Sequence, residues 1–245
     1  MPIFYLRRLT GSKRTEDANR HLARYLAFVA GAANAGGFLA VHHYTSHMSG
    51  VVASMADDFA LGRMLLVFDG LMSVLAFLTG AFLTTLFIRW ARAVALESEY
   101  ALPLMAEASL LILFGFVGQE FRGGRVLGTI MLLCFTMGMQ NAIITKISNA
   151  VIRTTHLTGM VTDAGIALGR IASSGGANDV SVESEWDKLR LLSSLVGLFF
   201  LGGLTGALGF KHVGFFFTLP LSAGLVLLAA VPVMDDVLRR RSLSA

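Results

Sequence analysis

Long apolar stretches alternate with short polar ones along most of the chain. Six of these stretches have about the 17 to 25 residues that a helix needs to cross a hydrocarbon core of roughly 30 Å. They lie at residues 21–41, 64–88, 102–117, 126–144, 189–210 and 213–234. The chain has no succession of ten-residue segments with alternating hydrophobicity, which is the pattern of a membrane barrel. The pattern therefore predicts an all-α, polytopic membrane protein with six transmembrane helices.

Two shorter segments interrupt this regularity, one after the first apolar stretch and one after the fourth. Residues 51–62 and 160–168 are helical in pattern but too short to span a membrane. A helix of about 12 residues is only about 18 Å long, and the first segment also carries Asp57 and Asp58. We expect each segment to form a half-helix that dips into the membrane or lies at its surface.

The composition strengthens the membrane prediction. Hydrophobic residues make up 55% of the chain and charged residues 15%, which is more apolar than a soluble domain of this length requires. The net charge of +4 comes from basic residues at the chain ends and in the loops, so it indicates membrane orientation and not a nucleic-acid partner. The single cysteine, Cys134, excludes an intrachain disulfide. The expected partner is the lipid bilayer.

Five short motifs recur in the same order in the two halves of the chain. They are Gly-x-x-Asn-Ala at 31–35 and 138–142, hydroxyl-His-x-hydroxyl-Gly at 46–50 and 155–159, Ala-Leu-Gly-Arg at 60–63 and 167–170, Leu-Thr-Gly-Ala at 78–81 and 204–207, and Leu-Pro-Leu at 102–104 and 219–221. Their common order indicates a duplicated unit of about 110 residues with three spans and one half-helix. The predicted organisation is a cytoplasmic arm at 1–20, repeats at 21–118 and 119–237, and a basic tail at 238–245.

The distribution of positive charge predicts the orientation. With six spans and a cytoplasmic amino terminus, 16 of the 20 Lys and Arg residues lie inside and 4 outside, so both termini are expected in the cytoplasm. Because each unit holds three spans, the second would be inverted relative to the first, as in many secondary transporters. If both half-helices cross the membrane instead, there are eight spans and the repeats are parallel. The cytoplasmic side then holds 15 of the Lys and Arg residues and the outside 5. Charge alone leaves both arrangements open.

The repeated polar motifs supply the candidate binding residues. A polar turn at membrane depth is stable when it is buried in protein or lines a wet cavity. Imidazole titrates near neutral pH, and hydroxyl and amide groups can contact a ligand. The predicted substrate-binding residues are Asn34, Ser46, His47, Ser49, Asn141, Thr155, His156 and Thr158. Two structural alternatives stand beside this prediction: Ser49 and Thr158 as helix N-caps, and the asparagines as interhelical hydrogen-bonding groups.

Two carboxylates lie inside predicted spans, Asp69 in the second and Glu107 in the third. An ionised carboxylate costs about 3 kcal/mol at such depth, so it is usually paired, protonated or functional. We predict that these residues couple a proton or an ion, and snorkelling to the membrane surface is the alternative. Alignment of the motifs places Leu195 and Gly224 at the matching positions of the second unit. The carboxylates therefore break the internal symmetry.

No cofactor and no metal site are predicted. His43 and His47 are four residues apart and close to His42, but the second unit has only His156 in this region, which argues against zinc ligation. The sequence contains no Gly-x-Ser-x-Gly, no His-Glu-x-x-His and no phosphate-binding loop. An enzyme is therefore not expected.

The chain resembles the YoaK family of bacterial inner-membrane proteins, a widespread group founded on a domain of unknown function. The likeness rests on residues 31–35, 45–50, 138–142 and 155–159 and extends over nearly the whole chain. In that family the polar motif commonly ends in Asn and the first-span motif often has Asp, where this chain has Val51, Met160 and Asn34. The resemblance implies an inner-membrane location and six spans, and it implies no substrate.

Together these features predict a small-molecule or ion transporter that works by alternating access around the paired motifs. A membrane-embedded scaffold or an enzyme subunit without transport activity is the alternative. The glycine-rich faces of the first and fifth spans can join two protomers into a homo-oligomer or be used within one protomer. Residues 172–188 are expected to be disordered, and the leading arm disordered or surface-bound.

Overall fold

The computed structural model of the protein describes residues 7, 9–11, 15–41, 45–118, 126–148, 155–173 and 180–243. Its α-helices in chain order are α1 (Glu16–Val41), α2 (Met48–Ala60), α3 (Met64–Ala93), α4 (Ala101–Val117), α5 (Val126–Ile147), α6 (Leu157–Ser173), α7 (Val180–Val213) and α8 (Thr218–Leu243), and a 3-10 turn (Gly214–Phe217) joins the last two. The described residues contain no strand. The predicted all-α class is confirmed.

Three helical stretches are long and apolar enough, by length and composition, to cross a membrane. They are Met64–Ala93, Leu127–Ile147 and Val182–Arg239, of which the last contains most of α7, the turn and most of α8. Helix α4 is apolar but shorter. The buried positions of α3 are mostly small, such as Ala76 and Gly80, while large apolar side chains such as Leu78 and Phe82 are exposed. Small residues between helices and large apolar residues outside them indicate a membrane protein.

Helices α1 and α7 approach each other closely at glycines. A Cβ atom on Gly31 would overlap the carbonyl oxygen of Phe199, and a Cβ atom on Gly202 would overlap that of Phe28. Only glycine permits the two backbones to come this near. The glycine-rich faces of the first and fifth predicted spans are therefore used within the chain, and homo-oligomer formation stays a prediction.

Helices α3 and α5 repeat this arrangement. A Cβ atom on Gly138 would overlap the carbonyl oxygen of Phe77, and one on Gly80 would overlap that of Phe135. Since Gly138 and Gly31 occupy the same position in the Gly-x-x-Asn-Ala motif, the contacts of α3 with α5 correspond to those of α7 with α1.

This correspondence corrects the alignment of the two units along α3 and α7. The close contacts match Gly80 with Gly202, whereas the Leu-Thr-Gly-Ala motif matches it with Gly206, one helical turn later. The counterpart of Asp69 is therefore Leu191, and its assignment to Leu195 is wrong. A four-residue motif can recur on a helix one turn from the position that makes the contact, because both positions lie on the same face.

Helices α4 and α8 run antiparallel. At one end, the ring centroids of Phe114 and Phe215 are 5.4 Å apart, so the carboxyl end of α4 lies beside the residues that lead into α8. At the other end, Ser98 donates to the Asp236 carboxylate, at 2.9 Å from its backbone N–H and at 2.5 Å from its hydroxyl. These two helices correspond to the third predicted span of each unit and hold the matching Leu-Pro-Leu motifs.

The described part of the leading arm packs on α8. Leu9 and Thr10 are buried, and the hydroxyl of Thr10 donates to the carbonyl oxygen of Leu228 at 2.8 Å. Arg7 forms an ion pair with Asp235 at 2.6 Å. The described part of the arm is therefore held against the helix bundle.

The interruption of helical structure predicted at 172–188 is shorter in the structure. Helix α6 continues to Ser173 and α7 begins at Val180, while residues 174–179 lie outside the described part of the chain. An ion pair between Arg170 and Glu185, at 2.6 Å, joins the two helices. Much of the predicted disordered segment is therefore helical. The tail at 238–245 likewise continues α8 as far as Leu243, and the predicted loop at 119–125 is outside the described residues.

Candidate functional site

The first polar turn is bonded to α1 through Asn34. The Oδ1 atom of Asn34 accepts a hydrogen bond from the Ser46 hydroxyl at 3.0 Å and another from the Ser46 backbone N–H at 3.3 Å. Both residues are buried. A buried polar group is tolerated when it is hydrogen-bonded, so this contact allows the turn to lie against the bundle.

The second polar turn is bonded to α5 in the same way. The Thr155 hydroxyl donates to Oδ1 of Asn141 at 2.5 Å, and Nδ2 of Asn141 donates to the carbonyl oxygen of Met137 at 2.8 Å. In each unit, the asparagine of the Gly-x-x-Asn-Ala motif thus accepts a hydrogen bond from the first hydroxyl of the polar turn. Both asparagines bond to the polar turns, whereas the predicted structural alternative was a bond between helices.

Ser49 and Thr158 do not cap the helices that contain them. Helix α2 begins at Met48 with His47 as its N-cap, and no side chain there forms a capping hydrogen bond. Thr158 is the second residue of α6, which begins at Leu157. The capping prediction is wrong because both helices start before the hydroxyl, which leaves it on an exposed helix surface.

Replacing Thr155 by Val is expected to lower the free energy of unfolding by about 0.6 to 2 kcal/mol, because the isosteric side chain cannot donate to Asn141. The measurement is denaturation of the purified protein in mixed micelles. Thr158→Val is the matched control, since that residue is exposed on α6, and it should change the stability much less. Equal losses for the two variants would show that the hydroxyl–amide bond does not hold the turn.

A cavity of about 410 Å³ lies between α2, α3 and α5, beside the end of α1. Its polar lining consists of His47, Ser54, Asp58, Asp69 and Ser73, and apolar side chains such as Phe38 and Ile130 complete it. Clefts of this size that combine apolar walls with a few polar groups are typical small-molecule sites.

The cavity unites only two of the ten predicted site residues. His47 of the polar turn and Asp69 of α3 face the same space. The other predicted residues do not line this cavity. Helix α2 packs mainly on α3, and α6 mainly on α7, so the two polar turns belong to different helix pairs. The described residues therefore do not bring His47 and His156 together in one site.

The predicted site residues do not include Ser54, Asp58 or Ser73, which line the cavity. Their spacing carried a signal, because Ser54 and Asp58 are four residues apart on α2, as are Asp69 and Ser73 on α3. Residues four apart share one helix face. Two polar faces on consecutive helices were thus visible in the chain, although their packing on each other was not.

One of the two carboxylates that line the cavity has no described partner. Asp58 has a cationic partner, since Nη1 of Arg63 lies 3.6 Å from its carboxylate. Ser73 donates to the backbone carbonyl oxygen of Asp69 at 2.8 Å and not to its side chain. Within the described part of the chain, no hydrogen bond or ion pair reaches the Asp69 carboxylate. A cationic group is the chemical complement of such a carboxylate.

The second predicted carboxylate lies elsewhere in the bundle. Glu107 of α4 is fully buried, and its Oε1 accepts a hydrogen bond from Nε2 of Gln140 on α5 at 2.7 Å. The snorkelling alternative for Glu107 is therefore wrong, because its side chain packs inward between two helices. Gln140 was not predicted, although it lies inside the second Gly-x-x-Asn-Ala motif.

The described residues offer no group of three or more His, Cys, Asp or Glu side chains that could hold a metal ion. His42 and His43 lie outside the described residues, so their place in the predicted alternative is not defined.

The comparisons with known proteins identify one relationship. No curated protein and no solved structure matches the chain. A family model described as a protein of unknown function, DUF1275, matches residues 22–231 and so covers both units. The domain of unknown function expected from the resemblance is confirmed, while the narrower YoaK likeness stays a prediction. The chain therefore belongs to the DUF1275 family.

Proposed function

We propose that the protein transports a small cation across the bacterial inner membrane and binds it in the cavity between α2, α3 and α5. The Asp69 carboxylate, which faces this cavity without a described partner, carries the proposal. An ionised carboxylate at membrane depth is costly unless a positive charge compensates it. Substrate binding would supply that charge, and His47 and Ser54 would add polar contacts.

The proposed architecture is six spans in two inverted units, with both termini in the cytoplasm. The antiparallel packing of α4 and α8 supports it, because matching helices of parallel repeats would run in the same direction. The length of α2 also supports it, since 13 residues of helix extend about 20 Å and a span needs roughly 30 Å. Helix α6 has 17 residues, or about 26 Å, so it is longer than the half-helix predicted at 160–168 and still shorter than that thickness. Inverted units of this kind exchange access between the two membrane faces by moving against each other.

The two units would have different tasks. Asp69 has the apolar Leu191 as its counterpart, and Asp163 of α6 lies 3.9 Å from Lys188 of α7. The acidic group of α6 thus has a cation of the protein beside it. The first unit would bind the substrate, and the second would move against it to open and close the cavity.

The test is a flux assay with the full chain in proteoliposomes. The probes are methylammonium, tetramethylammonium, guanidinium, Na⁺ and K⁺, with acetate and phosphate as anionic controls. We expect saturable flux of at least one cation and none of the anions. Cation flux no greater than in protein-free vesicles, or equal flux of the anions, would contradict the proposal.

A further inference from the structure

Glu107 and Gln140 form a buried carboxyl–amide pair between α4 and α5. Both side chains are fully buried, and Nε2 of Gln140 donates to Oε1 of Glu107 at 2.7 Å. Oε2 of Glu107 and Oε1 of Gln140 are buried as well, and neither has a hydrogen-bond partner in the described part of the chain. Two acceptor oxygens without a donor indicate that a hydrogen-bond donor is missing from the pair.

An ionised Glu107 would be poorly compensated where it lies. One neutral amide N–H is its only described hydrogen-bond donor. The desolvation cost of a carboxylate greatly exceeds the gain from one such bond, whereas a carboxylic acid pays no charge penalty. We infer that Glu107 and Gln140 form a proton-binding site between α4 and α5, in which the Glu107 carboxyl group carries a proton at neutral pH.

The amide of Gln140 can serve both protonation states. With its NH₂ group toward Glu107 it donates to a carboxylate. Rotation by half a turn places the amide oxygen in the same position, 2.7 Å from Oε1, where it accepts a hydrogen bond from a protonated carboxyl group. Proton uptake adds one proton to Oε1 and replaces the N–H···O bond by an O–H···O bond. Release returns the proton to water and restores the first bond.

The charged groups of the helices packed on α4 lie towards the helix ends. The 3-10 turn has no titratable residue, Cys134 of α5 lines the cavity instead, and Tyr100 at the start of α4 accepts from Arg92. The charged residues concerned are Lys146 on α5, Asp69, Arg89 and Arg92 on α3, Glu97 and Glu99 before α4, and Asp235, Asp236 and Arg239 on α8. None of them forms an ion pair with Glu107.

The fold does not require this pair. The second unit has Gly224 at the position of Glu107, and the first unit has Ala33 at the position of Gln140. The hydroxyl of Tyr25 lies against Gly224 and fills the space there. The corresponding positions thus hold neither a carboxylate nor an amide, and the repeated fold forms without them.

Infrared difference spectroscopy of the full chain in lipid vesicles tests the site without any transported substrate. We expect a carbonyl band of a protonated carboxylic acid at neutral pH, its complete loss in Glu107→Gln, and a shift of the band in Gln140→Leu. Asp69→Asn is the matched control and should leave the band in place. A pH titration of the unmodified protein should convert the band to carboxylate absorption, which requires no variant to fold.

Absence of the band from the unmodified protein at neutral pH, or its persistence in Glu107→Gln, would overturn the inference. A coupling role for the site rests on the proposed transport function and has a separate readout. Cation flux driven by a pH gradient should lose that dependence in Glu107→Gln while downhill flux remains. The infrared result stands whether or not flux is found, so failure of the site and failure of transport are distinguishable.

Discussion

Replacing Gly202 by Val is expected to destabilise the protein by about 3 kcal/mol. A Cβ atom at this position would overlap the carbonyl oxygen of Phe28, which is backbone and cannot move without displacing α1. Overpacking of this kind forces helices apart instead of rearranging one side chain. The measurement is the free energy of unfolding in mixed micelles, with the monodisperse fraction after detergent extraction as a second readout.

Gly197→Val is the matched control for this prediction. Gly197 lies on the same helix, is exposed, and a Cβ atom there would have no neighbour within 4 Å. We expect little change, because the added side chain meets lipid and not a helix. If the two variants lose the same stability, the cost comes from valine in α7 and not from the crossing with α1. Gly138→Val should behave like Gly202→Val, since Gly138 lies against the carbonyl oxygen of Phe77 in the corresponding contact.

Replacing Asp69 by Asn is expected to raise the half-saturating concentration of a transported cation by about tenfold to a hundredfold. The substitution keeps the size of the side chain and removes its charge. A hydrogen bond to a charged group contributes about 1.5 to 3 kcal/mol, and each 1.4 kcal/mol corresponds to a factor of ten in affinity. The measurement is concentration-dependent flux in proteoliposomes for whichever cation of the panel the unmodified protein carries.

Asp57→Asn controls for the loss of a negative charge near the cavity. Asp57 is an exposed residue of α2, and it is the neighbour of Asp58 but does not line the cavity. We expect the half-saturating cation concentration of this variant to stay within about twofold of the value for the unmodified protein, because exposed charges are screened by solvent and salt. If Asp57→Asn has the same effect as Asp69→Asn, the general surface charge and not the cavity attracts the cation.

The candidate site was only partly accessible to sequence analysis. The repeated motifs identified Asn34 and Asn141, and each bonds the polar turn of its own unit. The hydroxyls of Ser46 and Thr155, which were predicted to contact a substrate, donate hydrogen bonds to those asparagines. Helix starts were also misplaced at Ser49 and Thr158, because an N-cap depends on where the incoming chain leaves the helical conformation and not on residue type alone.

The sequence by itself determined the all-α class, the apolar helices, the short helix α2 that follows the first of them, and the duplicated order of motifs. These features are local, because hydrophobic runs and small residues act through a single helix and its immediate surroundings. Only the tertiary structure decided the register that pairs Gly80 with Gly202, the cavity that brings His47 to Asp69, and the contact of Glu107 with Gln140. Each of these depends on which faces of two distant helices meet, and that is set by backbone approach and crossing geometry across the whole bundle.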